Sequence, residues 1–507
     1  MKFNILTLLL FFVNFIFAQD SLNMAKMAHI DGMPGNEYND IWGYVDTLGQ
    51  NEYAIIGSSQ AINIYDVTDC SNPVLYHQEI DGNTTIWRDF KSYGDYVYGV
   101  CDQGSEGLEI INMETKVFSQ NTTDFLKAHN IYVDQDNARL YVVGSNSVQR
   151  GMIIYDLSTT PENPQLLKKI RLDTLLGNTT LDLYIHDIYV KDNIAYASHG
   201  YAGYYIWDVT DVNNINLLGS TDDLPGYNHS SWPTDDLEYF YIAEEVPIGR
   251  PISIYHIINN EPYYVSSFKN PLEAPNYENN RPHNPFVKDD KLFISYYHDG
   301  LVVYDIANPT SPEFYAYYDT YLPNNGNGYS DYHGAWGVYP FLPSGCLVVS
   351  DIETGLYTLS LKANEIVQET GDLYLTDSNT GIVVKNILGD PYKLTLDDNG
   401  NIVVSAYVEN SSTEVKAIDA DYVLDTNGAA VYFKRSSGLY KLFVDNSGNL
   451  VSQAATTLPT SNLVNISGQD LYISNTGNGF VFTDSNGQRW KLRAENALMK
   501  AYKSTSW

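Results

Sequence analysis

Imidazoles recur in this chain immediately ahead of short apolar runs, in a pattern that could assemble a metal or acid–base centre. His129 in AHNIYV, His186 in IHDIYV, His283 in PHNPFV and His229 in YNHSSW stand at the same place relative to the run that follows, and His333 in YHGAW stands three residues earlier. The equivalent place holds Arg88 and Asp89 in WRDF, and the DIWGY segment around Trp42 nearer the start. A second set falls at the ends of later apolar runs: Asp102, His199, Glu244 with Glu245, His298 with Asp299, and Asp351 with Glu353. Neutral imidazole and carboxylate are the donors of divalent-metal sites and of acid–base pairs, while a ring of His and Arg can also grip an anionic or polyhydroxylated ligand. His186, His199, His283 and His298 are the candidate metal ligands, and a divalent metal is the candidate cofactor. The same His-Asn and His-Asp pairs have a second, structural reading, in which they only bridge neighbouring elements by side-chain to backbone hydrogen bonds. Other chemistries find no local support: the chain has no H-E-x-x-H, no P-loop, no G-x-S-x-G elbow and no cysteine pair with metal spacing.

The elements that must position these residues are repeated. AINIYD ending at Asp66, GLEIIN at Asn112, GMIIYD at Asp156, GYYIWD at Asp208, PISIYH at His256, GLVVYD at Asp305 and GLYTLS at Ser360 follow one another at intervals of 46, 44, 52, 48, 49 and 55 residues. A repeat of this length made only of short strands predicts propeller blades, here seven, rather than a helical solenoid. Each copy reads as four strands, a to d: in the fourth, DIYVKD, NIAYASHG, GYYIWDVTD and INLLGSTDD are separated by Asn, Asp and Gly turns. The seventh copy has a, b and c but no d, and residues 24–32, MAKMAHIDG, parallel the end of the first copy and are expected to supply it. Strand a runs inward and b returns, so the d-to-a connections and b-to-c turns share one face. His129, His186, His199, Glu244, His283, His298, His333 and Asp351 are therefore expected around one mouth of a central channel, where a ligand would sit.

Bulk properties narrow the function. The 507 residues include 62 acidic against 29 basic side chains, a formal charge of −33, which disfavours nucleic acid and anionic membrane surfaces as partners. Forty-three tyrosines suit half-exposed strands. Residues 1–18, MKFNILTLLLFFVNFIFA, carry one lysine, an apolar run and a small residue before Gln19, and read as a cleavable secretory signal. The run is too short for a stable membrane span, and no later segment is apolar enough for one. The three cysteines, Cys70, Cys101 and Cys346, are no disulfide framework; at most one bridge is open to them, and none is expected.

Beyond Leu361 the period changes. DLYLTDSNTG from Asp372, DYVLDTNG from Asp421 and DLYISNTGNG from Asp470 repeat at 49 residues, each leading to a YKL or WKL core. Asn-Gly and Ser-Gly steps between apolar runs signal hairpins. The acidic turns lack the D-x-D-x-D-G pattern of a calcium loop, so turn chemistry accounts for them. Residues 362–507 are expected to form a separate, smaller β-rich domain of three copies.

In the order DIWGY, EYAIIG, WRDF, AHNIYV, IHDIYV, NHSSW, PHNPF, SYYHDGLVVYDI, residues 22–360 resemble the choice-of-anchor B family of exported bacterial proteins, and GLVVYDIANPTSPEF and AINIYDVTDCSNPVL are similar to LVIVD repeats. The resemblance implies a β-propeller body joined to one of several unrelated C-terminal attachment modules, and implies no activity. The chain departs from it at WKLRAENALMKAYKSTSW, where no sorting tail is recognisable. The expectation is an exported or cell-surface binding or scaffold protein for an extracellular ligand, surface protein or carbohydrate, with a metal-dependent hydrolase or lyase as the alternative.

Overall fold

The computed structural model describes residues 21–361, apart from 47, 50, 81–84, 273–280 and 322–330, and beyond them chiefly the strands between 366 and 504. The expected leader at 1–18 and most turns of the C-terminal copies lie outside the described residues. Among these residues the fold is all-β: ten sheets, six of four strands and four of five, with a single short helix at Leu172–Leu175. No helix among them is long and apolar enough to cross a membrane.

Each of the first six copies forms one antiparallel sheet in chain order. In the third, Asn130–Asp134, Arg139–Val143, Gly151–Asp156 and Gln165–Arg171 pair successively as a, b, c and d. The seventh sheet is Ala335–Tyr339, Leu347–Asp351 and Gly355–Leu361, and its fourth strand is Met24–Ile30, paired from Met24 opposite Leu361 to Ile30 opposite Leu356. The N-terminal segment thus supplies the missing d, as its sequence predicts. Just before it, Ser21–Leu22 adds a fifth strand to the sixth sheet, beside Glu313–Tyr318.

The apolar runs of strand c are buried on both faces because each sheet lies between two others. Side chains alternate: Ile153 and Tyr155 pack in one cluster with Val100 and Leu108 of the second sheet, while Met152 and Ile154 pack in another with Ile188 and Trp207 of the fourth. Such clusters join every successive pair of sheets. The last, Tyr38, Ala54 and Ile56 with Val348 and Leu356, joins the seventh sheet to the first. Strand a of the seventh sheet likewise contacts strand a of the first, Tyr38–Val45, so the sheets neighbour one another in cyclic order. A bulge recurs between c and d where an aromatic residue precedes the terminal polar one, at Tyr65, Tyr155, Trp207, Tyr255 and Tyr304. The extra residue bends and twists the outer strand. The aspartate after the aromatic then caps the c–d turn, accepting from Thr68, Ser158, Thr210 and Ala307 backbone N–H at 2.9–3.0 Å.

One expectation about cysteine is overturned. Cys70, in the c–d turn of the first sheet, is disulfide-bonded to Cys346, just ahead of strand b of the seventh. Their sequence separation of 276 hides a proximity that only the cyclic order creates. Ser344 backbone N–H donates to Glu52 at 2.7 Å and Thr358 Oγ1 to the Cys70 carbonyl at 2.7 Å, tying the same two sheets.

The three C-terminal copies interlock. The sheet built on Ile382–Lys385, Pro391–Leu396 and Ile402–Ala406 takes Glu414–Ile418 from the second copy and Gln469–Ile473 from the third as parallel strands. The other two sheets are built the same way. One core of residues 382–492 collects Leu394, Leu442 and Leu492, the matched leucines of the three YKL and WKL segments.

Candidate functional site

A vestibule of about 590 Å³ opens where the a strands begin, and residues from all seven sheets line it. This volume is typical of small-molecule sites. Eight of the predicted residues reach it: Arg88, Asp89, Asp102, His129, His186, His229, His283 and His333. His199, Glu244, His298 and Asp351 do not line it.

The floor is an arc of imidazoles contributed by four successive sheets. Ring centroids lie 4.1 Å apart from His129 to His186, 4.2 Å from His186 to His229 and 4.2 Å from His229 to His283. The repeat explains the arc: His129, His186 and His283 stand just ahead of their a strands and His229 at the second position of its own, with His186 N–H on the Ser198 carbonyl (2.8 Å) and His283 N–H on the Ser295 carbonyl (2.9 Å), so their side chains reach one floor.

Each ring also reaches its neighbour. His186 Nδ1 donates to the His229 carbonyl at 3.0 Å, and His283 Nδ1 to the Trp336 carbonyl at 2.5 Å. The His229 ring lies against the His283 backbone, whose carbonyl accepts from Ser230 Oγ at 2.6 Å. A carbonyl can only accept, so Nδ1 carries the proton in His186 and His283, and Nε2 keeps its lone pair. Bracing and a binding role are thus compatible: one nitrogen spans the sheets and the other is left for a ligand.

Burial, reinforced by neighbouring imidazoles, holds His186 and His283 well below the usual histidine range, and His229 falls to about 3. These rings are neutral at physiological pH. His129 instead meets Asp102 Oδ2 at 3.1 Å, and that contact outweighs burial to keep the Asp102 carboxyl low.

Glu245, one residue beyond the Glu244 singled out by sequence, is the carboxylate that enters the floor. Its Oε1 accepts from Tyr297 Oη at 2.6 Å, and its Oε2 lies 3.9 Å from His229 Nε2. Glu244 ends strand b and points the other way, as strand alternation requires; burial raises its pKa to about 8. His199 packs on Tyr205 and Trp207, off the vestibule, and burial lowers it to about 3. His298 and His333 meet at the rim, 5.5 Å apart, with Tyr321 beside both. His333 Nδ1 contacts Glu353 Oε1. Asp351 caps its b–c turn, accepting from Glu353 and Thr354 backbone N–H. The predicted metal set is therefore redrawn: His283 groups with His229 and Glu245, whereas His186, though it lines the vestibule, and His199 and His298 are not in that group.

Arg88 and Asp89 touch the vestibule while serving the fold. Arg88 forms a fully buried ion pair with Glu109 (3.2 Å) and donates to the Ser58 carbonyl. Asp89 accepts from Ile131 N–H at 2.7 Å and pairs with Lys91 at 2.8 Å. A second, smaller cavity of about 30 Å³ has Asp40, Asp89, Asp187 and Lys91 in its lining, and Asp40, Asp89 and Asp187 line the vestibule too. Burial opposes the Lys91 charge, but Asp89 and Asp40 outweigh it and keep the ammonium protonated. Burial raises Asp187 to about 6 and Asp40 well above the carboxylate range. The wall above is aromatic: Trp87, Tyr184, Tyr227, Tyr297, Tyr332 and Trp336. Asp187 and Tyr297 were legible only as neighbours of marked histidines, in IHD and YYHDG, and Lys91 carried no signal.

No family model matches the chain, and no curated protein does. Among solved structures the chain is similar to a functionally unknown protein from Desulfotomaculum acetoxidans DSM 771, with 14% identity over 58% of this chain and 88% of that one and a TM-score of 0.42. It is also similar to U3-55K (8% identity, 67% of this chain and 98% of that one, TM-score 0.46). A computationally designed protein, Ika8, is similar at 9% identity over 66% of this chain and 99% of that one, with a TM-score of 0.43.

Proposed function

We propose that residues 21–361 form a seven-bladed β-propeller of the choice-of-anchor B, LVIVD-repeat kind, closed by Met24–Ile30, and that residues 362–507 are a separate accessory module. The chain is exported or held at the cell surface, and its vestibule binds a neutral or cationic, hydroxyl-bearing ligand: a surface saccharide, free or carried on a protein. The observation that carries this reading is the single vestibule of about 590 Å³ lined from all seven sheets. Its aromatic planes suit the apolar faces of sugar rings, and its carboxylates and imidazoles suit hydroxyls. The charge of −33 disfavours polyanions. Export is supported by the leader and by the Cys70–Cys346 bridge, which belongs to an oxidising compartment.

The test is retention on a panel of immobilised saccharides, with Trp87→Ala and Trp336→Ala, which remove two walls of the vestibule. The expected loss is at least about tenfold in affinity for each, as for aromatic anchors in other interfaces. Retention that survives both substitutions, or that resides in 362–507 alone, overturns the reading. A metal-dependent hydrolase or lyase is the second reading, favoured by buried Glu245 lying between His229 and Tyr297. It requires that a retained polysaccharide be cleaved, which product analysis of the same panel detects.

A further inference from the structure

We infer that His229, Glu245 and His283 hold one divalent first-row transition-metal ion in the floor of the vestibule. One donor atom from each lies within 4.8 Å of the other two, and all three residues are buried. Bonds of about 2.0–2.2 Å to a tetrahedral ion place donors about 3.4 Å apart, so the 3.9 Å from His229 Nε2 to Glu245 Oε2 needs only a small contraction.

The second line of support is the outer layer. Metal-binding imidazoles and carboxylates are held by hydrogen bonds on the side away from the ion. His283 Nδ1 is committed to the Trp336 carbonyl, which leaves Nε2 to ligate. Glu245 Oε1 is committed to Tyr297 Oη, which leaves Oε2. His229 already turns Nε2 toward Glu245.

Two imidazoles and one carboxylate suit zinc, iron, cobalt or nickel and are poor for calcium or magnesium, which take oxygen donors. Three protein donors leave at least one position open, and the vestibule lies on that side. This inference rests on the vestibule as a binding site, and it narrows the ligand to one that can offer an oxygen donor to the ion.

The experiment is titration of the chelator-treated full chain with Zn²⁺ by calorimetry and with Co²⁺ by visible absorption, without saccharide. One equivalent of each is expected, with the Co²⁺ spectrum of a low-coordinate nitrogen and oxygen site. Glu245→Gln keeps the side-chain shape, and it and His283→Ala are each expected to weaken uptake by about a hundredfold or more. Tyr297→Phe, acting only through Glu245, is expected to weaken it about tenfold. His77→Ala, on the outer strand of the first sheet, should leave uptake unchanged. Stripped protein that takes up neither ion stoichiometrically overturns the site. So does native affinity in both Glu245→Gln and His283→Ala with unchanged circular dichroism and melting. Because uptake is read without saccharide, absent uptake by protein that still retains saccharide overturns the metal site alone, and stoichiometric uptake by protein that retains no saccharide overturns the saccharide reading alone.

Discussion

His199 isolates the cost of a buried imidazole, because it lies off the vestibule. Its burial lowers the ring from 6.5 to about 3. Between these values the unfolded chain binds a proton that the folded chain refuses, so stability is unaffected above 6.5 and falls as the pH drops below it. From about pH 7 to about pH 5 one such ring costs about 2 kcal/mol. His199→Phe removes the proton from both states, so urea unfolding over that interval should show the variant losing about 2 kcal/mol less than the native chain. Equal losses would mean that the ring is protonated in the fold. Glu244 acts in the opposite sense: burial raises it from 4.5 to about 8, so acidification relieves a cost there. That contribution is present in both proteins and cancels in the comparison.

Among the elements, Met24–Ile30 is the strand that joins the start of the repeats to their last copy, against Gly355–Leu361. Met24 is buried in the core shared by the sixth and seventh sheets, beside Leu359. Removing residues 21–30 strips the outer strand from the seventh sheet and exposes its backbone donors and acceptors. The melting temperature should fall by about 5–10 °C, equivalent to a few kcal/mol in a body of this size, and light scattering should rise as the bare edge pairs between molecules. Unchanged melting and no association would mean that the strand contributes nothing to closure. The existence of this strand and its partner were legible in sequence, because the copy count leaves one d strand missing and one spare. The c–d bulge was not: an extra residue changes local twist without disturbing the apolar alternation from which the strands are read.

At the scale of the whole molecule, the Cys70–Cys346 bridge locks the first sheet to the seventh. In the chain-entropy account a cross-link over so long a loop restricts the unfolded state strongly, and disulfides of this kind contribute about 2–5 kcal/mol. The double variant Cys70→Ser, Cys346→Ser is expected to lose that much in guanidinium unfolding, and reductant should lower the native protein to the same level while leaving the variant unchanged. A native protein indifferent to reductant would show that the bridge contributes nothing to stability. In the C-terminal copies cohesion has another source, since every sheet holds strands from all three copies and none can bury its apolar face alone.

The sequence by itself determined the strand succession, the phase of each copy, the place of Met24–Ile30 and the register that brings His129, His186, His229 and His283 to one end of their sheets. These follow from short-range physics, namely two-residue alternation, Asn, Asp and Gly turns and repetition of one unit, all of which operate within a few residues. Tertiary structure decided what the site contains. Glu245 rather than Glu244 faces the floor because one step along a strand reverses a side chain. Tyr297 reaches Glu245, and Cys70 reaches Cys346, because sheets remote in sequence become neighbours. Which nitrogen of each histidine is left for a ligand depends on the carbonyl of the next sheet, a partner 43 residues on for His186 and 53 for His283, and no local pattern encodes that distance.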